Sequence, residues 1–165
     1  MIAVADSSPL IILAKLDCFD LLQTVYSTLC ISAEVYAEVV VAGAGLPGAG
    51  KVTTSEWIEV KSIGSPSSLS TLRKNSGLGL GESSTIILAQ ELGAQVVLLD
   101  DHKARTLAKH EGLHVRGTVG ILETLYHRGH LADLRTAFQK LLMNNVYIDR
   151  RILNRRLQVL GLQLL

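Results

Sequence analysis

An α/β fold of three layers, with a central mostly parallel sheet between two layers of helices, is what this sequence predicts, on three observations. Short apolar runs, Ile2-Ala3-Val4-Ala5 and Val96-Val97-Leu98-Leu99, have the length and character of buried strands. Stretches of helical spacing separate such runs, and strands alternating with helices at this interval favour parallel pairing with helices on both faces. Acidic residues end the runs, Asp6 after the first and Asp100-Asp101 after the second. Strand ends of this kind face the ligand crevice of an open α/β sheet.

Taken in order, residues 2–5 form the first strand, and Asp6-Ser7-Ser8-Pro9 starts a helix, with a capping residue ahead of a first-turn proline, that runs to about Leu16. Phe19 to Tyr26 is helical in pattern, Leu29 to Ile31 is a short strand, and Ser32 caps a helix carrying Val35, Glu38 and Val39. Glu34 and Glu38 lie one turn apart on one face of that helix. Gly43 to Gly50 reads as a flexible connection, Val52 to Val60 as extended, and Ser62 to Ser70 as a loop. Gly77-Leu78-Gly79-Leu80-Gly81 turns the chain toward Glu82, and Ser83 to Leu92 has the spacing of a buried helix. After the strand Val96–Leu99 come a helix through Ala104, Leu107 and Ala108, a short strand 114–116, and a helical remainder from Gly117. The 165 residues fit one domain, with a helical C-terminal extension from about residue 121.

Composition narrows the function classes. Hydrophobic residues make up 48% and charged residues 19%, which predicts a large aliphatic core and excludes disordered or fibrous classes. One Trp, two Phe and four Tyr argue against a stacking platform of the oligonucleotide-binding-fold type. A net charge of +1 points to neither a polyanion nor a membrane surface, although the segment from Arg128 to Arg156 is modestly basic. Cys18 and Cys30 have no metal-ligand or redox spacing and read as small core residues. No apolar stretch is long enough to span a bilayer, and Asp6 interrupts the N-terminal apolar run, so a cytoplasmic protein is expected.

Two glycine motifs need weighing. Gly45 to Lys51 satisfies G-x-x-x-x-G-K, but Val52 stands where a P-loop needs Ser or Thr for magnesium, and neither flank reads as the required strand and helix. Gly77-x-Gly79-x-Gly81 misses the dinucleotide-binding spacing and is better read as the turn that delivers Glu82. His127 and His130 lack a third ligand and suit surface or capping roles.

The acids form a more telling pattern. Singly, Asp6 and Asp101 read as helix N-caps, Glu82 as a first-turn partner of the helix dipole and Glu38 as a solvated helix residue. Jointly, Asp6, Glu38, Glu82 and the pair Asp100/Asp101 fall near one edge of the sheet. Carboxylates gathered there repel one another unless cations or protons neutralise them. Hard oxygen donors suit Mg2+ or Mn2+.

Four segments resemble the PIN-domain family of metal-dependent ribonucleases, which includes toxins of bacterial toxin–antitoxin pairs. Ala5-Asp6-Ser7-Ser8-Pro9-Leu10-Ile11 resembles its first acidic motif and Ile31 to Val39 the helix that supplies its second acid. Gly79-Leu80-Gly81-Glu82, with Ile86 and Leu88-Ala89, is similar to the third, and Leu98 to Arg105 to the fourth. The similarity continues through Gly117-Thr118-Val119-Gly120, over about residues 1–125, and is strongest to a subgroup of predicted nucleic-acid-binding members. The chain departs from the pattern in having Leu99 and then two aspartates where many members place Ser or Thr before the fourth acid, and in its long Gly43–Gly81 connection.

The resemblance implies a Mg2+- or Mn2+-dependent endoribonuclease. Asp6 and Asp101 are then the expected direct ligands, with Glu38 and Glu82 binding a second ion or orienting water, and Asp100 is the alternative to Asp101 that the strand-end position allows. Ser7 or Ser8 would hydrogen-bond ligand or phosphate, and Lys103 and Arg105 would contact phosphate. Implied partners are RNA, an antitoxin protein and a second copy of the chain. The apolar end from Leu157 to Leu165 must pack on its own fold, another subunit or an antitoxin. The competing reading on the same fold is a catalytically silent module that binds RNA or protein.

Overall fold

Period-two alternation decides which layer each strand side chain enters. In the computed structural model, which describes residues 1–165, the strands are β1 (Ile2–Ala5), β2 (Thr28–Ser32), β3 (Ile58–Lys61), β4 (Val96–Leu98) and β5 (Val115–Arg116). Ala3, Ala5, Leu29, Ile31, Val96 and Leu98 face one core, while Val4, Cys30 and Val97 face the other. Both faces are thus covered, which is why these strands read as continuous apolar runs rather than as alternating ones.

The strand order is β3-β2-β1-β4-β5, and every pairing is parallel. From β1 the chain builds outward through β2 to β3, then returns to lay β4 on the other side of β1, with Ala5 opposite Leu98. The order therefore reverses between β1 and β4, and a crevice opens beyond the carboxyl ends of strands at such a switch point.

Twelve segments of helix and helical turn flank the sheet. α1 (Ser7–Lys15) follows β1, and a 3-10 turn (Phe19–Leu21) leads into α2 (Leu22–Val25). α3 (Ala33–Tyr36) runs on as a π-helical turn over Ala37–Ala42. Then come α4 (Ala49–Thr54), α5 (Pro66–Ser76), α6 (Leu80–Leu92), α7 (His102–His110), α8 (Thr118–His127), α9 (Leu134–Met143) and α10 (Arg150–Val159). Leu10, Leu13, Leu122, Phe138 and Leu153 fill the larger core, and Ile86, Leu88, Ala104 and Ala108 the smaller one. No helix is long and apolar enough to cross a membrane.

The C-terminal helices are built into the larger core. Leu141, Leu153 and Leu157 are fully buried, Leu160, Leu162 and Leu165 pack against them, and the Leu165 amide donates to Asn154 Oδ1 at 2.8 Å. The apolar end thus packs largely on its own fold, leaving only Val159 and Leu164 well exposed.

Two segments differ from expectation. Residues 49–54 are helical rather than flexible or extended, because Ala49 and Val52 reach the interior on one helix face and the Thr53 and Thr54 hydroxyls donate to the Ala49 and Gly50 carbonyls. Such bonding within the turn satisfies hydroxyls that otherwise favour a strand or loop. The segment 66–70 is helix rather than loop: Ser65 Oγ accepts the Ser68 amide at 3.3 Å, and Pro66 occupies the first turn. A P-loop is excluded on firmer ground than the missing hydroxyl. A helix does follow Gly48, but a π-helical turn rather than a strand precedes it, and Lys51 is paired with Asp20 at 2.5 Å.

Candidate active site

Asp6 leaves β1 at the switch point, its amide donating to Leu98 O on neighbouring β4 at 3.0 Å. It occupies the N-cap position of α1 but makes no side-chain capping bond. The side chain is buried, and Oδ1 has no hydrogen-bond partner. Burial pushes its carboxyl up to about 7; the Ser7 amide opposes this, and Glu38, Glu82 and Asp100 add to it. A buried oxygen without a donor, in the field of three further carboxylates, is costly unless a proton or cation meets it.

The other acids are held by the backbone. Glu38 sits in the π-helical turn after α3, and its Oε1 accepts the Gly81 amide at 3.1 Å. A Cβ on Gly81 would lie 2.6 Å from Glu38 Oε2, so only glycine lets α6 approach this carboxylate. Glu82, in the first turn of α6, accepts the Gly79 amide at 2.7 Å. Beneath both acids, Ser84 donates to Gly81 O at 2.8 Å and lies 2.7 Å from Ser32 Oγ, which in turn caps α3 by accepting the Val35 amide. This buried hydroxyl pair ties the helix before Glu38 to the helix bearing Glu82.

The two aspartates after β4 part company. Asp100 Oδ1 accepts the Thr118 amide at 2.7 Å and Oδ2 the Thr118 hydroxyl at 2.6 Å. Asp101 Oδ1 accepts the Ala104 amide at 2.8 Å as the N-cap of α7. Both line the cleft, but Asp100, not Asp101, joins Glu38 and Glu82 in raising Asp6.

That cleft, about 370 Å³, also takes in Glu82, Ser8, Arg105 and Thr118. Ser7 is the partly buried first residue of α1. Lys103 is directed toward the Gly77 turn, 3.4 Å from where a Cβ on Gly77 would stand. Thr118 belongs to the Gly117-Thr118-Val119-Gly120 segment of the family resemblance, but nothing in the sequence marks it as the partner of Asp100. Residues 146–148, which form one wall, gave no sequence signal because they lie between helices.

The three charged groups that act on Asp6, namely Glu38, Glu82 and Asp100, are all carboxylates, a donor set of hard oxygens that suits Mg2+ or Mn2+. The orphaned Asp6 Oδ1 is the oxygen that fits such an ion best. No three acidic, histidine or cysteine side chains converge closely enough to form a ready-made cage. Magnesium commonly keeps several waters and takes only one or two carboxylates from the protein.

The site is thus a set of carboxylates at the switch point of an all-parallel α/β/α sheet. A family model described as PIN domain matches residues 2–162, and the chain belongs to the PIN-domain family. That match runs beyond residue 125, through α9 and α10. PIN-domain proteins are generally nucleases, typically use divalent metals, and often bind RNA and antitoxins. No curated protein matches the chain.

Proposed function

We propose that the protein is a Mg2+- or Mn2+-dependent endoribonuclease that hydrolyses RNA phosphodiester bonds. The observation that carries this reading is the buried Asp6 carboxylate, whose Oδ1 has no partner and whose neighbours are Glu38, Glu82 and Asp100. Asp6 and Asp100 leave adjacent strands at the switch point and are assigned as direct ligands, with Glu82 and Glu38 contributing their remaining oxygens to a second ion or to water. Asp101 serves chiefly to cap α7.

A bound divalent ion would supply Lewis-acid polarisation of a phosphoryl oxygen and lower the pKa of water. Asp6 would hold such an ion as the carboxylate, giving up the proton that burial favours. The Gly81 and Gly79 amides orient Glu38 and Glu82, and Thr118 orients Asp100, so none of these carboxylates has to reorganise during reaction. Arg105 stands at the cleft wall to meet phosphate, and Ser8 is placed to hydrogen-bond it.

A toxin role, with an antitoxin partner, a homodimer and a cytoplasmic location, belongs to the same proposal and rests on the family. One observation favours the second reading, a silent binding module: Glu38, Glu82, Asp100 and Asp101 each accept a backbone amide, as purely structural carboxylates do. Cleavage of a mixed RNA pool with Mg2+ or Mn2+, beside Asp6→Asn and an EDTA control, separates the two. Cutting that needs both metal and Asp6 supports the nuclease. Equal inertness of both folded proteins supports the binding module.

A further inference from the structure

Next to the acid cleft lies a second cavity of about 400 Å³, lined by Arg105, Arg116 and Arg156 together with Glu123. Three arginines and one glutamate are thus among its lining residues, an excess of two positive charges in a chain whose whole net charge is +1. Two of the arginines are held in place. Glu123 is buried and grips Arg156 through Nε at 2.5 Å and Nη2 at 2.7 Å, leaving Nη1 without a hydrogen bond. Thr124 Oγ1 accepts from Arg116 Nη1 at 2.8 Å. The four ion pairs of the chain join Lys51 to Asp20, Lys61 to Glu59, Arg151 to Asp149 and Arg156 to Glu123, so neither Arg105 nor Arg116 is in one.

The cavity and the cleft share a wall. Arg105 and Ile148 line both, and Arg105 Nη1 and Asp100 Oδ1 crowd the same point, 2.7 and 3.0 Å from where a Cβ on Gly117 would stand. Oriented arginines beside apolar walls favour an anion more strongly than arginines in open water. Tyr147, one residue before Ile148, lines the acid cleft with its side chain fully exposed at 105%. A ring in solvent at the mouth of a charged cleft offers a free face to a base.

We propose that the arginine cavity takes a backbone phosphate of single-stranded RNA flanking the phosphate held in the acid cleft, with Tyr147 stacking on an unpaired base at the cleft mouth. This rests on the nuclease reading only for the fate of the phosphate in the acid cleft. Single strands are favoured because paired bases in a duplex have their faces already stacked and offer none to Tyr147. Guanidinium recognition of a phosphate is charge-assisted and sensitive to salt.

The test is binding of a labelled single-stranded RNA of about eight nucleotides, followed by anisotropy in EDTA so that no metal-dependent cutting intervenes. Wild type should bind the single strand more tightly than a duplex of the same sequence. Arg116→Gln should weaken binding about tenfold and reduce the slope of log affinity against log salt by about 0.7, while Arg116→Lys keeps the slope. Tyr147→Ala should weaken the single strand about tenfold and Tyr147→Phe should not. Tyr147 is fully exposed, so that pair stays informative even if Arg116→Gln fails to fold.

Failure of wild type to bind RNA, equal affinity for duplex and single strand, or unchanged binding in both Arg116→Gln and Tyr147→Ala overturns the proposal. Competition by inorganic phosphate that is as strong as competition by unlabelled RNA also overturns it, since it marks a free-anion site. Cleavage with Mn2+ is scored separately. Binding as expected without cleavage keeps the subsite and removes the nuclease reading, whereas cleavage with unaffected variants does the reverse.

Discussion

Gly81 and Glu38 occupy complementary space: the Gly81 amide donates to the Glu38 carboxylate at 3.1 Å, and the missing Cβ of Gly81 is what leaves room for it. Forty-three residues of chain separate them, yet this contact fixes where the second acid stands relative to the helix of the third. Gly81→Ala should displace Glu38 and cost about 1–3 kcal/mol, the usual range for overpacking. Urea unfolding measures the loss of stability, and RNA cleavage should fall further than stability alone explains. A variant as stable and as active as wild type removes Gly81 from the site.

Asp6 should make the metal-free protein sensitive to pH. Burial raises its carboxyl from 3.8 to about 7, so the folded chain keeps a proton that the unfolded chain releases between these values. Stability therefore falls as pH rises through this window: below it both states are protonated and nothing is lost, and above it the cost reaches about 4 kcal/mol. In EDTA, Asp6→Asn should melt above wild type at about pH 8 and close to it at about pH 4. Mg2+ or Mn2+ should restore wild type at the higher pH and leave Asp6→Asn unchanged.

Thr118 holds Asp100 at two points, through its amide and its hydroxyl. Thr118→Val keeps the shape and the amide bond but removes the hydroxyl donor, at a cost of about 2 kcal/mol for a bond to a charged acceptor. The thermal shift produced by Mn2+ should shrink with it. Thr118→Ser should behave as wild type, and a valine variant with an undiminished Mn2+ shift means that Asp100 is not a ligand.

The adjacent aspartates should separate cleanly. Asp101→Ala loses the α7 cap and about 1 kcal/mol, with cleavage changed little. Asp100→Asn should abolish both cleavage and the stabilisation by divalent ions. The opposite outcome, cleavage surviving in Asp100→Asn and vanishing in Asp101→Ala, assigns the metal to Asp101.

The fold was legible because its determinants are local. Apolar runs at Ile2–Ala5 and Val96–Leu98 must be buried on both faces, and Ser32 places its hydroxyl where a helix needs a cap. The helices at Ala49–Thr54 and Pro66–Ser76 were not legible, since Gly, Thr and Ser carry weak local signals that packing and capping overrode. The π-helical turn that carries Glu38 likewise has no period of its own in the sequence.

The sequence by itself determined an α/β/α sheet with acids at its strand ends, because periodicity and strand-end position are properties of neighbouring residues. Only the tertiary structure decided which acids meet. Laying β4 beside β1 brings Asp100 toward Asp6 and lets Thr118 and Ala104 claim the two adjacent aspartates for different helices. Burial then deprives Asp6 Oδ1 of a partner, and both burial and electrostatic coupling act through space rather than along the chain.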